Sequence, residues 1–340
     1  MNLILITFII LILINSRFNS PAIDYLSRER CQSLRGILAI FIIMHHLAQR
    51  TASGEAFRVM EQAGFLMTSL FFFMSGYGLM LRNKSDDTYR RTFFRKRLPH
   101  LVILYAAITF IYWLMCRCIG TYYTLKDVLY GAFVAGAPID SFTWYIVVIL
   151  VTYVVFGILI KIFGNRNVLV IIGMSLFYGG FVWYCIRMGY GCWWYNTLHM
   201  LLVGMIYALI KEKIDKLSGA FYWIILTILG IASVYLYSNL VPMIDACPYE
   251  QSEYLVKLLV SIVVTIFILQ LMRVLTLENM LTKALGRISL EIYLCQGLLI
   301  TFTRSSRLYI ENEAYWSLVV ILGTVTVAAI VYGVEKKLKK

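Results

Sequence analysis

Residues 33–50 read SLRGILAIFIIMHHLAQR, an apolar run that carries an arginine and two adjacent histidines. Such groups are costly in an apolar helix, and inside a membrane span they mark a functional site by default. Arg35 and His46 are eleven residues apart. On an α-helix that spacing is about 16 Å along the axis and about 20° around it, so the two share a face, whereas His45 points about 80° away. Histidine exchanges a proton near neutral pH, and an arginine fork holds phosphate or carboxylate. One polar stripe thus connects the two sides of the membrane.

Other polar groups recur in apolar surroundings. Ser75-Gly76-Tyr77-Gly78 interrupts AGFLMTSLFFFMSGYGLML, where small residues admit a second backbone or a ligand. The run RRTFFRKRLPHLVILY crowds Arg90, Arg91, Arg95, Lys96, Arg97 and His100 at the start of another apolar segment. It reads as an orientation signal or as a seat for a phosphate-rich ligand. Trp144 and Tyr145 open a further segment, as interfacial anchors do. Asn196 and His199 lie in a sixth, His199 as a packing residue unless it shares the cavity of His46. Glu291, Tyr293 and Gln296 lie in a ninth, and an acid one turn inside a helix wants a partner. Seven scattered cysteines show no metal-ligand spacing, and no metal is implied.

The elements that must position these groups follow from composition. The chain is 61% hydrophobic and 14% charged with a mean hydropathy of +0.78, against about 25% charged residues in soluble domains. It reads as an all-α, polytopic transmembrane helical bundle of about ten spans, near 36–48, 63–81, 98–116, 144–160, 168–186, 194–210, 218–238, 254–272, 288–303 and 315–334. The net charge of +13 would suggest nucleic acid in a soluble protein. Here 23 of the 31 Lys and Arg fall on one side of the ten-span topology, while Asp and Glu divide almost evenly. The excess is therefore the positive-inside bias, with a cytoplasmic C-terminus and no nucleic-acid partner. Residues 1–30 form an N-terminal apolar segment and cytoplasmic lead-in, and residues 31–340 one transmembrane domain. Residues 2–14 are short for a span and read as a thin, membrane-embedded eleventh crossing or a segment lying in the interface.

Taken in order, these motifs resemble the integral-membrane acyltransferase 3 family, whose members O-acylate cell-envelope glycans and related acceptors. LRGILAIFIIMHH resembles its first helix, with Arg35 and His46 in the Arg and His slots. FFFMSGYGLM, FFRKRLPHLVILY, WYIVVILVTYVVFG, WWYNTLHMLLVGMIYAL and LGRISLEIYLCQGLLI follow in the family's order, from about residue 30 to the C-terminus. Two positions depart from its pattern. Gln296 stands where the late helix commonly has histidine, and His100 where the basic lead-in often has a second Arg or Lys.

The resemblance implies an O-acetyltransferase of the cell (plasma or inner) membrane. Its donor would be acetyl-CoA or another acyl-CoA, with no permanently bound cofactor, and its acceptor a polysaccharide, lipid-linked glycan or glycolipid. His46 and Arg35 would be catalytic, His46 as base and Arg35 on the donor side. Arg95, Arg97, His100, Ser75 and Tyr77 would bind the donor, and Trp144, Glu291, Tyr293 and Gln296 would support the site. No oxyanion donor is named beyond Ser75 or Tyr77. The rival is a glycan or lipid transporter or flippase with a proton-handling histidine, for which no internal symmetry speaks.

Overall fold

The computed structural model describes residues 1–52, 54–247 and 251–338. Helix α1 (Asn2–Leu13) and strand β1 (Arg17–Phe18) precede the first long helix, α2 (Arg28–Ala48). A short α3 (Glu55–Arg58) leads to α4 (Gly64–Ser85), α5 (Asp87–Cys118), a short α6 (Leu125–Phe133), α7 (Trp144–Phe163) and α8 (Asn167–Arg187). Then come α9 (His199–Ile214), α10 (Gly219–Ser238), a short α11 (Leu240–Ala246), α12 (Ser252–Val274) and β2 (Leu275–Thr276). The chain closes with α13 (Met280–Arg287), α14 (Ser289–Phe302) and α15 (Glu313–Leu338). Among the described residues nine helices are long and apolar enough to cross a membrane, and α13 with α14 is a bent pair that makes a tenth when counted as one broken span. The chain is a multi-pass membrane protein, and lipid-facing positions such as Ile103, Leu176, Val234 and Ile330 are exposed and apolar.

Two elements differ from the hydropathy reading. The basic run between the second and third expected spans is helical, because Asp86 alone separates α4 from α5 and caps the latter by accepting from Tyr89 N–H at 3.2 Å. With 32 residues, α5 is about 48 Å long and outlasts the hydrocarbon core. The ninth expected span is the second arm of a pair bent by 75°. Its first arm crosses α2 so closely that a Cβ on Gly36 would stand 2.5 Å from Gly286 N, and one on Gly286 1.9 Å from Gln32 O. The same logic explains Gly76, where a Cβ would meet Leu201 O of α9 at 2.0 Å, while Gly78 faces open space.

Helix α1 runs alongside these elements. Asn2 Oδ1 accepts from Phe57 N–H beyond the far end of α2, and Asn279 donates to the carbonyls of Leu11, Ile12 and Ile14 at the other end. It therefore joins the two levels that α2 joins, in only 12 residues or about 18 Å. β1 pairs antiparallel with β2, Arg17 opposite Thr276. All seven cysteines are free, and Lys339 and Lys340 of the basic tail lie outside the described residues.

Arg273 holds this end of the bundle. It is 2% exposed, donates to the carbonyls of Ile214, Asp215 and Leu217 and to Gln270 Oε1, and packs on the rings of Tyr25 and Tyr222. The carbonyls at the end of α9 have this cation as their partner, where a positive charge also suits the helix dipole. Arg273→Ala is expected to cost about 3 kcal/mol or more, by analogy with lost charge-assisted bonds. Thermal unfolding of the detergent-solubilised variant measures this, and an unchanged midpoint contradicts it.

Candidate functional site

Helix α2 is unbroken from Arg28 to Ala48, so Arg35 and His46 keep the shared face their spacing implies. Arg35 is half-buried. Its Nε is buried with no hydrogen-bond partner, and among the described residues no carboxylate lies within 4.0 Å of its guanidinium. An uncompensated cation in a span is expensive, and an anion or a watery cavity relieves it. On α7, Tyr145 lies against Phe71 and Phe72 of α4, four and three residues before Ser75 on that helix. Tyr145 in turn meets Tyr293 of α14 at 5.5 Å between ring centroids. The Tyr293 hydroxyl donates to Phe142 O at 2.6 Å, and the Phe142 ring meets the His46 imidazole edge-on at 4.6 Å. A column of contacts thus runs from Tyr145, beside α4, to His46 through α14 and the turn 141–143.

Local bonds fix the far end of this column. His46 Nδ1 donates to Gln49 Oε1 at 3.3 Å, which leaves Nε2 with its lone pair. Arg50 Nη1 donates to His46 O at 2.9 Å, and its guanidinium carbon stands 5.1 Å over the Phe142 ring. Phe142 is pinned on both sides, its carbonyl by Tyr293 and its N–H by Asp140 Oδ1 at 3.1 Å. Asp140 is 2% exposed, and its Oδ2 has no hydrogen-bond partner. Burial pushes its carboxyl above the usual carboxylate range, and the Phe142 N–H pulls it partly back. The carboxylate lies against α14 at Gly297, where a Cβ would stand 2.3 Å from Oδ1.

The remaining sequence candidates separate. Tyr77 lies toward the near end, beside Phe73 and Tyr207. Arg97 and Arg82 flank the buried Tyr89 ring at 5.9 and 6.0 Å, whereas Arg95, about 200° around α5 from Arg97, is exposed to the outside. The Tyr89 ring meets Phe93, and Phe93 meets Tyr153 of α7, so aromatic contacts join the Arg97 cluster to the helix that carries Tyr145. His100 turns away to Glu335 of α15, 2.5 Å from its carboxylate. Trp144 is buried against Trp194 rather than set as an interfacial anchor. Glu291 is 3% exposed, near the bend. Gln296 is fully buried with neither amide atom partnered, on the stripe of Ile292 and Ile300 that belongs to the apolar cluster with α2 and α15.

The two other histidines pack. His45 Nδ1 lies 3.0 Å from Met60 O, and His199 sits 3.4 Å from the Tyr254 hydroxyl and beside Tyr178. The sequence reading missed Gln49, Arg50, Asp140 and Phe142. Gln49 and Arg50 carry a usable signal, three and four residues past His46 on the same helical edge. Asp140 is legible as a lone acid at the mouth of the fourth span.

The model of the acyltransferase 3 family, an acyltransferase domain, matches residues 31–333. No curated protein and no solved structure matches the chain.

Proposed function

Since the chain belongs to the acyltransferase 3 family and is a multi-pass membrane acyltransferase, we propose that it moves an acyl group, acetyl foremost, from a cytosolic acyl-CoA to a hydroxyl of an envelope polysaccharide, lipid-linked glycan or glycolipid. The observation that carries this reading is the half-buried Arg35, with no carboxylate within 4.0 Å of its guanidinium among the described residues, sharing one helix face with His46. The basic side of the bundle, with the C-terminus, is cytoplasmic in this reading, as the positive-inside bias requires. The cell membrane is its site.

Donor phosphates arrive at Arg97 and Arg35, with Arg95 contributing attraction from the surface rather than contact. Ser75 and Tyr77 line the way inward, and His100 acts on this end only through the helix pairing it makes with Glu335. The acyl thioester reaches along the column toward His46, about 16 Å from Arg35 along the axis. His46 Nε2 takes the proton of the acceptor hydroxyl as its oxygen bonds to the thioester carbonyl carbon. The tetrahedral intermediate then reforms the carbonyl, the carbon–sulfur bond breaks, and the CoA thiolate receives the proton from the imidazolium. Gln49 keeps Nδ1 protonated throughout, so one nitrogen serves both transfers.

The broken α13–α14 crossing is the one bent pair among the described residues. A transporter built from repeats would carry a matching break in its other half. Calorimetry of CoA with the purified protein tests the donor assignment. Binding that weakens with salt is expected, and no binding overturns it.

Gly297 supports the same site from behind. Gly297→Ala would drive the Asp140 carboxylate off α14 and with it the pinned Phe142. Transfer is expected to fall by about 10²-fold, the scale of a misplacement near 1 Å. Asp140→Ser in the same chain keeps a capping oxygen, frees the space and should restore most of the rate. A double variant as slow as the single one contradicts this coupling.

A further inference from the structure

Acyl transfer from a thioester builds negative charge on the former carbonyl oxygen, and that charge needs a positioned donor. Ser75 and Tyr77 lie far down the column from His46 and do not serve it. The geometry points to Arg50 as the group that stabilises this oxyanion, a catalytic role at the far end of the column that rests on the acyltransferase reading above. Three observations carry it.

First, Arg50 is held beside the base by the base's own helix turn, through the 2.9 Å bond from Nη1 to His46 O. Second, its guanidinium and the His46 imidazole share one platform, the Phe142 ring, at 5.1 and 4.6 Å. That platform is fixed by Asp140 and Tyr293 at its two backbone groups, so the cation and the base keep their relation without touching each other. Third, no carboxylate lies within 4.0 Å of Arg50 among the described residues. A guanidinium carries five N–H donors, and the His46 carbonyl takes one of them.

The arrangement divides the step between neighbours. Nε2 of His46 removes the hydroxyl proton while free N–H groups of Arg50 receive the carbonyl oxygen as its π electrons move onto it. When the intermediate collapses, the pair returns to the carbonyl, the C–S bond breaks and the thiolate takes the proton back from His46. No other reactant is needed. Exposure on the far side leaves Arg50 open to the acceptor, so the same guanidinium meets the two substrates where they join.

The test is steady-state transfer from acetyl-CoA to isolated envelope glycan by the detergent-solubilised full chain. It compares the unchanged protein, His46→Ala, Arg50→Ala and Arg50→Gln. The expected result is a kcat lower by about 10²–10³-fold in both Arg50 variants, with KM for either substrate within about threefold. Arg50→Gln removes the charge but keeps a polar side chain with an N–H donor on a shorter stem, so it carries the test if the alanine variant does not fold. A kcat within threefold of the unchanged protein in Arg50→Gln overturns the inference. So does a loss confined to KM for the acceptor, which would make Arg50 a recognition group for an anionic glycan. An unchanged protein that transfers nothing overturns the acyltransferase reading itself. An active protein silenced by His46→Ala but not by Arg50→Gln overturns the Arg50 role alone.

Discussion

His46→Ala is expected to lower the rate of acyl transfer by about 10²–10⁴-fold, the contribution of a positioned general base. Donor binding should survive, because Arg35 lies about 16 Å away along the same helix. The fold should survive too. His46 is half-buried, its ring hydrogen bond goes to the exposed Gln49, and its backbone carbonyl still serves Arg50. His45→Ala provides the contrast. That ring ties the end of α2 to Met60 and packs on Gly64, so its loss should show in stability before it shows in chemistry. Equal loss of rate in both variants, with equal loss of protein from the membrane, would contradict the division between them.

Arg35→Met has the second large effect, and it carries two signs. With no carboxylate within 4.0 Å of its guanidinium among the described residues, Arg35 gives up little to the resting fold and costs desolvation. Its replacement by an apolar residue of similar length should therefore leave thermal stability unchanged or raised. Affinity for CoA should fall by about 30-fold or more, equivalent to the 2 kcal/mol or more lost when one partner of a charge pair is removed. A structural arginine would behave in the opposite way, losing stability and leaving ligand affinity alone. Calorimetric titration with CoA and a thermal scan of the same preparation separate the two.

The spans were legible because a hydrocarbon solvent forces long apolar helices, and hydropathy reads length and apolarity directly. The same signal fails for α13. Its eight residues are amphipathic rather than apolar, and its bend depends on Gly36 and Gly286 meeting across 250 residues of chain. It also fails for the start of α5, where charged residues are good helix formers and only Asp86 marks the boundary. At the site, Arg35 and His46 were readable because they share one helix and its period fixes their relation. Phe142 was not, and Asp140 showed only as a lone acid, since what they hold comes from a turn about a hundred residues away laid against α2 and α14. Gln296 shows the limit from the other side. Its slot drew attention through the family pattern, yet its side chain lies on the stripe with Ile292 and Ile300 and not on the Tyr293–Gly297 face that meets Phe142 and Asp140.

Mass spectrometry of envelope glycans tests the central claim most directly. Cells with the intact gene, without it, and with His46→Ala alone are compared after the variant protein is verified in the membrane. The account predicts an acyl mass present in the first and absent from the other two, with the mass itself naming the group transferred. An acyl mass that persists with His46→Ala while disappearing with the gene would contradict the assignment of His46 as the base.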